Sequence, residues 1–251
     1  AEDQSSNTGV WQDGSCGGSN SEWLHCEGCI NFGSVSGGGG GGSTSTTTTT
    51  AAATTTTTSG GGGGTKYITS TIRVNGGTYD GGGERIIAQG MGDGSQDEDQ
   101  DPIFRLENAT VRNVRIAAPG CDGIHCYGNC RVENVTWEDV GEDALTIKGE
   151  GNTTVSGGSA RDAADKVFQL NQPCTFTVEN FSATNFGCFI RQNGGTSFKC
   201  TIYLNNVTIS NGDYGVRTDA EATQIYYRNF TTSNVDHRWR VPNESSQVHT
   251  Y

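Results

Sequence analysis

Glu142 and Asp143 stand side by side just before the apolar run Ala144-Leu-Thr-Ile147. Adjacent carboxylates repel one another, and a hard cation relieves that repulsion. The same short phrase recurs along the chain with other side chains in the same slots. Asp122-Gly-Ile-His125-Cys precedes it, and Lys166-Val-Phe-Gln169-Leu, Cys188-Phe-Ile-Arg191-Gln and Tyr214-Gly-Val-Arg217-Thr follow it. Stacked, these segments give columns. One reads Asp122, Asp143, Lys166, Cys188, Tyr214, and the slot before it Cys121, Glu142, Asp165, Gly187, Asp213. Two slots later come Ile124, Leu145, Phe168, Ile190 and Val216, an inward-facing set. Three slots later come His125, Thr146, Gln169, Arg191 and Arg217, all polar and so outward-facing.

Acids, then a lysine, then an arginine along one face is a gradient of chemistry. Asp122, Glu142 and Asp143 are the candidate ligands of a Ca²⁺ ion, whose irregular oxygen shell suits carboxylates from several segments. The competing reading is an exposed ladder of ion pairs, Asp143 with Lys166 for instance. The stretch Gly92-Asp-Gly-Ser-Gln-Asp-Glu-Asp-Gln-Asp101 is a second acidic cluster. It lends Glu98 to the same cation, holds its own, or is a solvated turn.

These residues need elements that repeat. Leu106-Glu-Asn-Ala-Thr-Val111, Val132-Glu-Asn-Val-Thr-Trp137, Val155-Ser-Gly-Gly-Ser-Ala160, Val178-Glu-Asn-Phe-Ser-Ala183, Leu204-Asn-Asn-Val-Thr-Ile209 and Tyr227-Arg-Asn-Phe-Thr-Thr232 are variants of one unit. Their third positions, 108, 134, 157, 180, 206 and 229, are spaced by 26 or 23 residues. Such a period means a solenoid. Short strands, Gly/Asn turns and no convincing helix predict an all-β, right-handed parallel β-helix, each coil burying its Val, Ile, Leu and Phe on the next. The asparagines at 108, 134, 180, 206 and 229 should stack as an amide ladder. Tyr67–Val74 reads as one alternating strand ending at Gly76-Gly77.

The chain has 251 residues and a formal net charge of -12, which argues against nucleic acid as a partner. No apolar run approaches the ~18 residues of a membrane span. The start Ala1-Glu-Asp suits a mature secreted, extracellular protein. Nine cysteines fit an oxidising compartment, with Cys126 and Cys130 able to close a short bridge. Sequons stand at Asn108, Asn134, Asn152, Asn180, Asn206, Asn229 and Asn243, most of them read as structural asparagines. Three regions are expected. Residues 1–35 form a small Cys- and Trp-containing segment, 36–65 a Gly/Ser/Thr-rich linker, and 66–251 the β-helix.

Several segments together resemble the small pectate lyases of polysaccharide lyase family 3. They are Gly92-Asp-Gly-Ser-Gln, Pro102-Ile-Phe-Arg-Leu-Glu107, Asp122-Gly-Ile-His-Cys-Tyr-Gly, Trp137-Glu-Asp-Val-Gly-Glu-Asp-Ala-Leu145, Asp165-Lys-Val-Phe-Gln169 and Arg191-Gln-Asn-Gly-Gly195. The resemblance runs from about Ile68 to the C terminus. It implies a parallel β-helix, Ca²⁺ dependence, and β-elimination of polygalacturonate by a monomer. It further implies that Asp122, Glu142, Asp143 and, more loosely, Glu98 are the calcium-site acids, and that Lys166 and Arg191 are the catalytic basic pair. His125, Lys148, Gln169 and Arg217 are the expected substrate-binding residues. The chain departs from the family at Cys188, where a lysine is usual.

A lysine beside cations has its pKa lowered and can take the C5 proton of a galacturonate, while arginine rarely loses its own proton. Lys166 is therefore the expected base and Arg191 a carboxylate clamp, although an exchange of these roles stays open. Two rival readings also stand. A β-helix hydrolase would use paired acids and leave Lys166 and Arg191 unexplained. A calcium-dependent pectin-binding module without turnover would fit the Cys188 departure.

Overall fold

The computed structural model describes residues 63–251, so the expected N-terminal segment and all but the last residues of the expected linker lie outside the described residues. The first strands are β1 (Thr65–Ile68), β2 (Ile72–Asn75), β3 (Thr78–Ala88), β4 (Phe104–Glu107) and β5 (Thr110–Ile116). Next come β6 (Ile124–Tyr127), β7 (Cys130–Trp137) and β8 (Asp143–Ile147). Four long bent strands follow: β9 (Gly151–Leu170), β10 (Cys174–Gln192), β11 (Cys200–Arg217) and β12 (Gln224–Arg240). A single turn of helix, α1 (Glu244–Gln247), and β13 (Val248–Thr250) end the chain.

Every strand pairing is parallel, and the pairings follow two routes. One passes through β1, β3, β5, β7, β9, β10, β11, β12 and β13, the other through β2, β4, β6, β8 and β9. Odd and even strands thus alternate between two faces until β9, which serves both: Val155 pairs with Val132 of β7 and Phe168 with Leu145 of β8. The result is a parallel β-helix, as the repeat predicts. Among the described residues no helix is long and apolar enough to cross a membrane.

The core is the inward column. Ile124, Leu145, Phe168, Ile190 and Val216 are in register on successive coils and fully buried. Each such side chain contributes roughly 1.5–3 kcal/mol through burial. Phe168 is the hub, its ring 5.3 Å from Phe176, 5.4 Å from Phe181 and 5.3 Å from Phe189.

The corners explain the asparagines. Asn108, Asn134, Asn180, Asn206 and Asn229 all have φ between 49° and 55°, and Gly157, at φ 71°, fills the slot in the remaining coil. Asparagine and glycine tolerate this left-handed backbone where other residues resist it. The amide ladder is only partly realised. Asn206 Nδ2 donates to Asn180 Oδ1 at 2.8 Å, but Asn134 Nδ2 turns instead to Asn113 Oδ1. Asn113 belongs to a second corner column five residues on, with Asp162, Asn185, Asn211 and Asn234, also at positive φ.

Two further expectations change. Tyr67–Val74 is not one strand. β1 ends at Ile68 and β2 begins at Ile72, and the two pair with different neighbours, β3 and β4. Among the described residues the six cysteines are free thiols, Cys126 and Cys130 included. Cys130 Sγ donates instead to the Leu106 and Tyr127 carbonyls. Cys174 and Cys200 are in register on β10 and β11, with sulfurs 3.6 Å apart.

Candidate active site

Asp122, Glu142 and Asp143 converge just before the even-strand face, with a carboxylate oxygen of each within 4.8 Å of the others. All three are buried. Their coils are pressed together by glycine: a Cβ on Gly123 would collide with the Asp143 and Ala144 carbonyls, and one on Gly141 with the backbone of Cys121. The Glu142 amide donates to the Cys121 carbonyl at 2.8 Å, which sets the depth of the pair.

Three of the coils couple their two outward columns directly. His125 Nε2 lies 2.6 Å from Asp122 Oδ2, and Thr146 Oγ1 donates to Asp143 Oδ2 at 3.0 Å. Two coils further on, the Arg217 guanidinium lies 5.0 Å from the Tyr214 ring centre. In these coils the residue at slot i meets the one at i+3, so the two columns run side by side as the walls of one groove.

Lys166, in register with Asp143, is the counter-charge. Its Nζ lies 3.3 Å from Glu142 Oε1, 3.5 Å from Asp143 Oδ1 and 2.6 Å from Asp165 Oδ2. The ion pairs considered from sequence are present, but Lys166, Glu142 and Asp143 are buried rather than exposed. Burial pushes Glu142 up to about 7; Lys166 opposes this, while the charge and hydrogen bond of Asp122 and the charge of Glu98 add to it. Burial also holds Asp143 well above the usual carboxylate range, against the pull of Lys166. Lys166 shifts upward too: burial disfavours its charge, but Asp143, the Asp165 hydrogen bond and Glu142 outweigh that. The expectation of a lowered lysine pKa is therefore not met with the acids alone, because nothing but Lys166 balances them.

The acids fit a calcium ion. Buried Asp122 Oδ1 and Asp143 Oδ1 accept no hydrogen bond, Asp143 Oδ1 having only the 3.5 Å ion pair with Lys166, so the clustered carboxylates keep hard oxygen donors free for a cation. Glu98 is not part of this triad; it is exposed on the acidic loop and reaches Glu142 only through its charge. That loop is nevertheless anchored here, because Gln96 Nε2 donates to the Gly141 carbonyl at 2.9 Å. Inside the loop, Gln100 binds the Ser95 carbonyl and the Gly94 amide.

Arg191 lies one coil beyond Gln169 in the outward column, three residues past Cys188, the register partner of Lys166. Its Nη2 donates to Asp219 Oδ2 at 2.9 Å, while its buried Nη1 has no partner. Sequence reasoning missed Asp219, since no repeated motif marks it. Cys188 is buried, its thiol pushed up to about 12 by burial, and it carries no charge into the groove. Of the other expected substrate residues, Gln169 donates to Asn171 Oδ1 and leaves its own oxygen buried and unpaired. Arg217 lines the same wall. Lys148 lies just past the end of β8, outside the three outward slots.

Residues 51–239 match the family model described as pectate lyase. The chain is a member of the pectate lyase family. It is 41% identical over 145 residues to a probable pectate lyase E of Neosartorya fischeri and 41% identical over 143 residues to pectate lyase E of Emericella nidulans. Each alignment takes in 54% of this chain and 56% of the relative, so the chain spans about half the length of the curated relatives it matches. Among solved structures it resembles the catalytic domain of the pectate lyase PelI from Erwinia chrysanthemi, with 28% identity and a TM-score of 0.53 over 75% of this chain and 97% of that one. PelI has also been solved in complex with tetragalacturonic acid, with 28% identity and a TM-score of 0.52 over 75% of this chain and 70% of that one. In this pectate lyase family member, the family match covers the acids, Lys166, Arg191 and the groove alike.

Proposed function

We propose that this chain cleaves α-1,4-linked polygalacturonate by β-elimination to unsaturated oligogalacturonides, with Ca²⁺ held by Asp122, Glu142 and Asp143. The observation that carries this is the juxtaposition of three buried carboxylates with Lys166, one coil from an arginine whose buried Nη1 is unpaired. The complex of related PelI with tetragalacturonic acid supports the substrate class.

When bound, Ca²⁺ would neutralise the acids and the C6 carboxylate of the sugar, making C5–H more acidic and loosening the hold of the acids on Lys166. Lys166, as the free amine, would take the C5 proton at Nζ, the C5–H electron pair forms the C4–C5 double bond, and the C4–O4 bond breaks, its oxygen leaving with a proton from solvent. Arg191 offers its planar fork to a sugar carboxylate and holds the ring in place. Thr146 and His125 fix the orientation of Asp143 and Asp122.

One observation favours a second assignment. Lys166 has three acidic neighbours that stabilise its charge, so Arg191 as base and Lys166 as clamp is the alternative. The proposed setting is extracellular, as a monomer, on pectin of the plant cell wall; all seven sequon asparagines are exposed, and Asn152 and Asn243, which lie outside the positive-φ corners, are the proposed glycan sites. The test is the ultraviolet absorbance of the unsaturated product on polygalacturonate, with and without chelator. Cleavage without that absorbance would mean hydrolysis, and binding without cleavage a carbohydrate-binding module.

A further inference from the structure

The outward column does not stop at the catalytic pair. Gln169, Arg191, Arg217 and Arg240 occupy one slot on four successive coils, in hydrogen-bond register. Beside them the facing column reads Lys166, Cys188, Tyr214 and His237. Within the outward column itself the charged residues past Gln169 are all arginines, whereas the slot ahead of the facing column still carries Asp165, Asp213 and Asp236.

Three guanidinium groups in one slot are about 4.8 Å apart by strand spacing, and like charges directly opposite are destabilising. Several other arginines have an acid, as in Arg85–Glu138, Arg105–Glu107, Arg112–Asp80 and Arg131–Glu133, while Arg228 and Arg238 are held by Asn205 Oδ1 and the Phe230 carbonyl. Arg217 and Arg240 have no ion pair among the described residues, and Arg191 has only Asp219, whose side chain is half exposed. Arg217 leaves a buried Nε without a partner while its guanidinium packs on Tyr214, which in turn stacks on His237 at 5.2 Å. A planar donor held on an aromatic face and lacking its acceptor is suited to a ligand carboxylate.

We propose that this basic run is a track for anionic sugars. The groove continues two coils past the catalytic pair, and Arg217 and then Arg240 each take a carboxylate of an oligogalacturonate lying along the coil axis. The inference rests on reading the chain as a pectate lyase and adds the direction and the far end of its substrate groove.

The test is a chain-length series. Rates on galacturonate oligomers of increasing length, at saturating Ca²⁺, are compared for the full chain, Arg240→Gln and the control Arg131→Gln. Loss of one charge-assisted contact should raise KM roughly ten-fold for long oligomers and leave kcat and the short oligomers unchanged. The control should match the unmodified chain at every length. Calorimetric titration of a long oligomer into Lys166→Ala, with and without Arg240→Gln, should show the same ten-fold loss without turnover. An equal rise in KM at all lengths, or none at any, overturns the track. Failure of the unmodified chain to bind or cleave any oligomer instead removes the enzymatic reading on which the track depends.

Discussion

Lys166 Nζ lies 3.3 Å from Glu142 Oε1, and both side chains are buried. This one ammonium faces three buried carboxylates, so full ionisation leaves two negative charges uncancelled, the charge of one divalent cation. Buried charges are tolerated only when paired, and burial holds Glu142 and Asp143 above their ordinary range despite Lys166.

The first prediction concerns metal affinity. Asp143→Asn keeps the shape of the side chain and removes a charge from the triad. It should raise the Ca²⁺ concentration for half-maximal activity at least roughly ten-fold, since a charged ligand contact is worth about 1.5–3 kcal/mol. A calcium titration of activity measures it; full activity in chelator is incompatible with the scheme.

The second concerns the base. Lys166→Ala should lower turnover by roughly 10²–10⁴-fold, the usual worth of general base catalysis, while oligogalacturonate still binds. The rising limb of the pH–rate profile should vanish with it. If the limb and most of the turnover persist while Arg191→Lys is dead, arginine is the base.

The third concerns pH. The Glu142 carboxyl sits at about 7, above its ordinary 4.5. Ionising it therefore costs the metal-free fold, whose stability should fall as pH rises from about 4.5 through about 7. Calcium binds the ionised form and offsets that loss. The gain in Tm on adding Ca²⁺ should accordingly be larger at pH 8 than at pH 5; an equal or larger gain at pH 5 would contradict the assignment.

The fourth concerns the corners. Asn206 has φ 55° and donates to Asn180. Asn206→Ala should cost about 1–2 kcal/mol, the penalty of left-handed backbone for a residue with a Cβ. Asn206→Gly should be milder, as Gly157 already serves that slot. Denaturant unfolding of both variants decides, and equal losses would count against the backbone argument.

The fifth concerns the catalytic unit, proposed from sequence as 66–251. Arg85 donates its amide to the Gly64 carbonyl at 2.8 Å, so residues just ahead of β1 already take part in the fold. Deleting residues 1–62 should leave activity on soluble polygalacturonate intact. Loss of folding on that truncation would show that the unit begins earlier.

Much of this was legible because the repeat sets the register. The alignment of His125, Thr146, Gln169, Arg191 and Arg217 read from the sequence is the one the strand pairings realise. The coupling of slots i and i+3 follows from a corner between two inward residues, which no alternation pattern announces. Depth was also hidden: the sequence places Lys166 beside Asp143 but does not say that both are buried among four charges. Asp219 escaped because its pairing with Arg191 joins residues 28 apart that share no repeated motif, and the second asparagine column because its role is a left-handed corner that residue type alone does not announce.

The short β13 pairs with Ile225–Tyr227 of β12, so among the described residues the other face of that coil, around His237 and Arg240, has a neighbouring strand on one side alone. An unpaired edge of this kind invites another chain to add a strand and turn a solenoid into a fibre. Here that edge carries Asp236, His237, Arg238 and Arg240, so an incoming copy would have to bring its own charged rim against it. Those charges guard the open edge against growth, and making them apolar would be a direct route to assembly of copies along the coil axis.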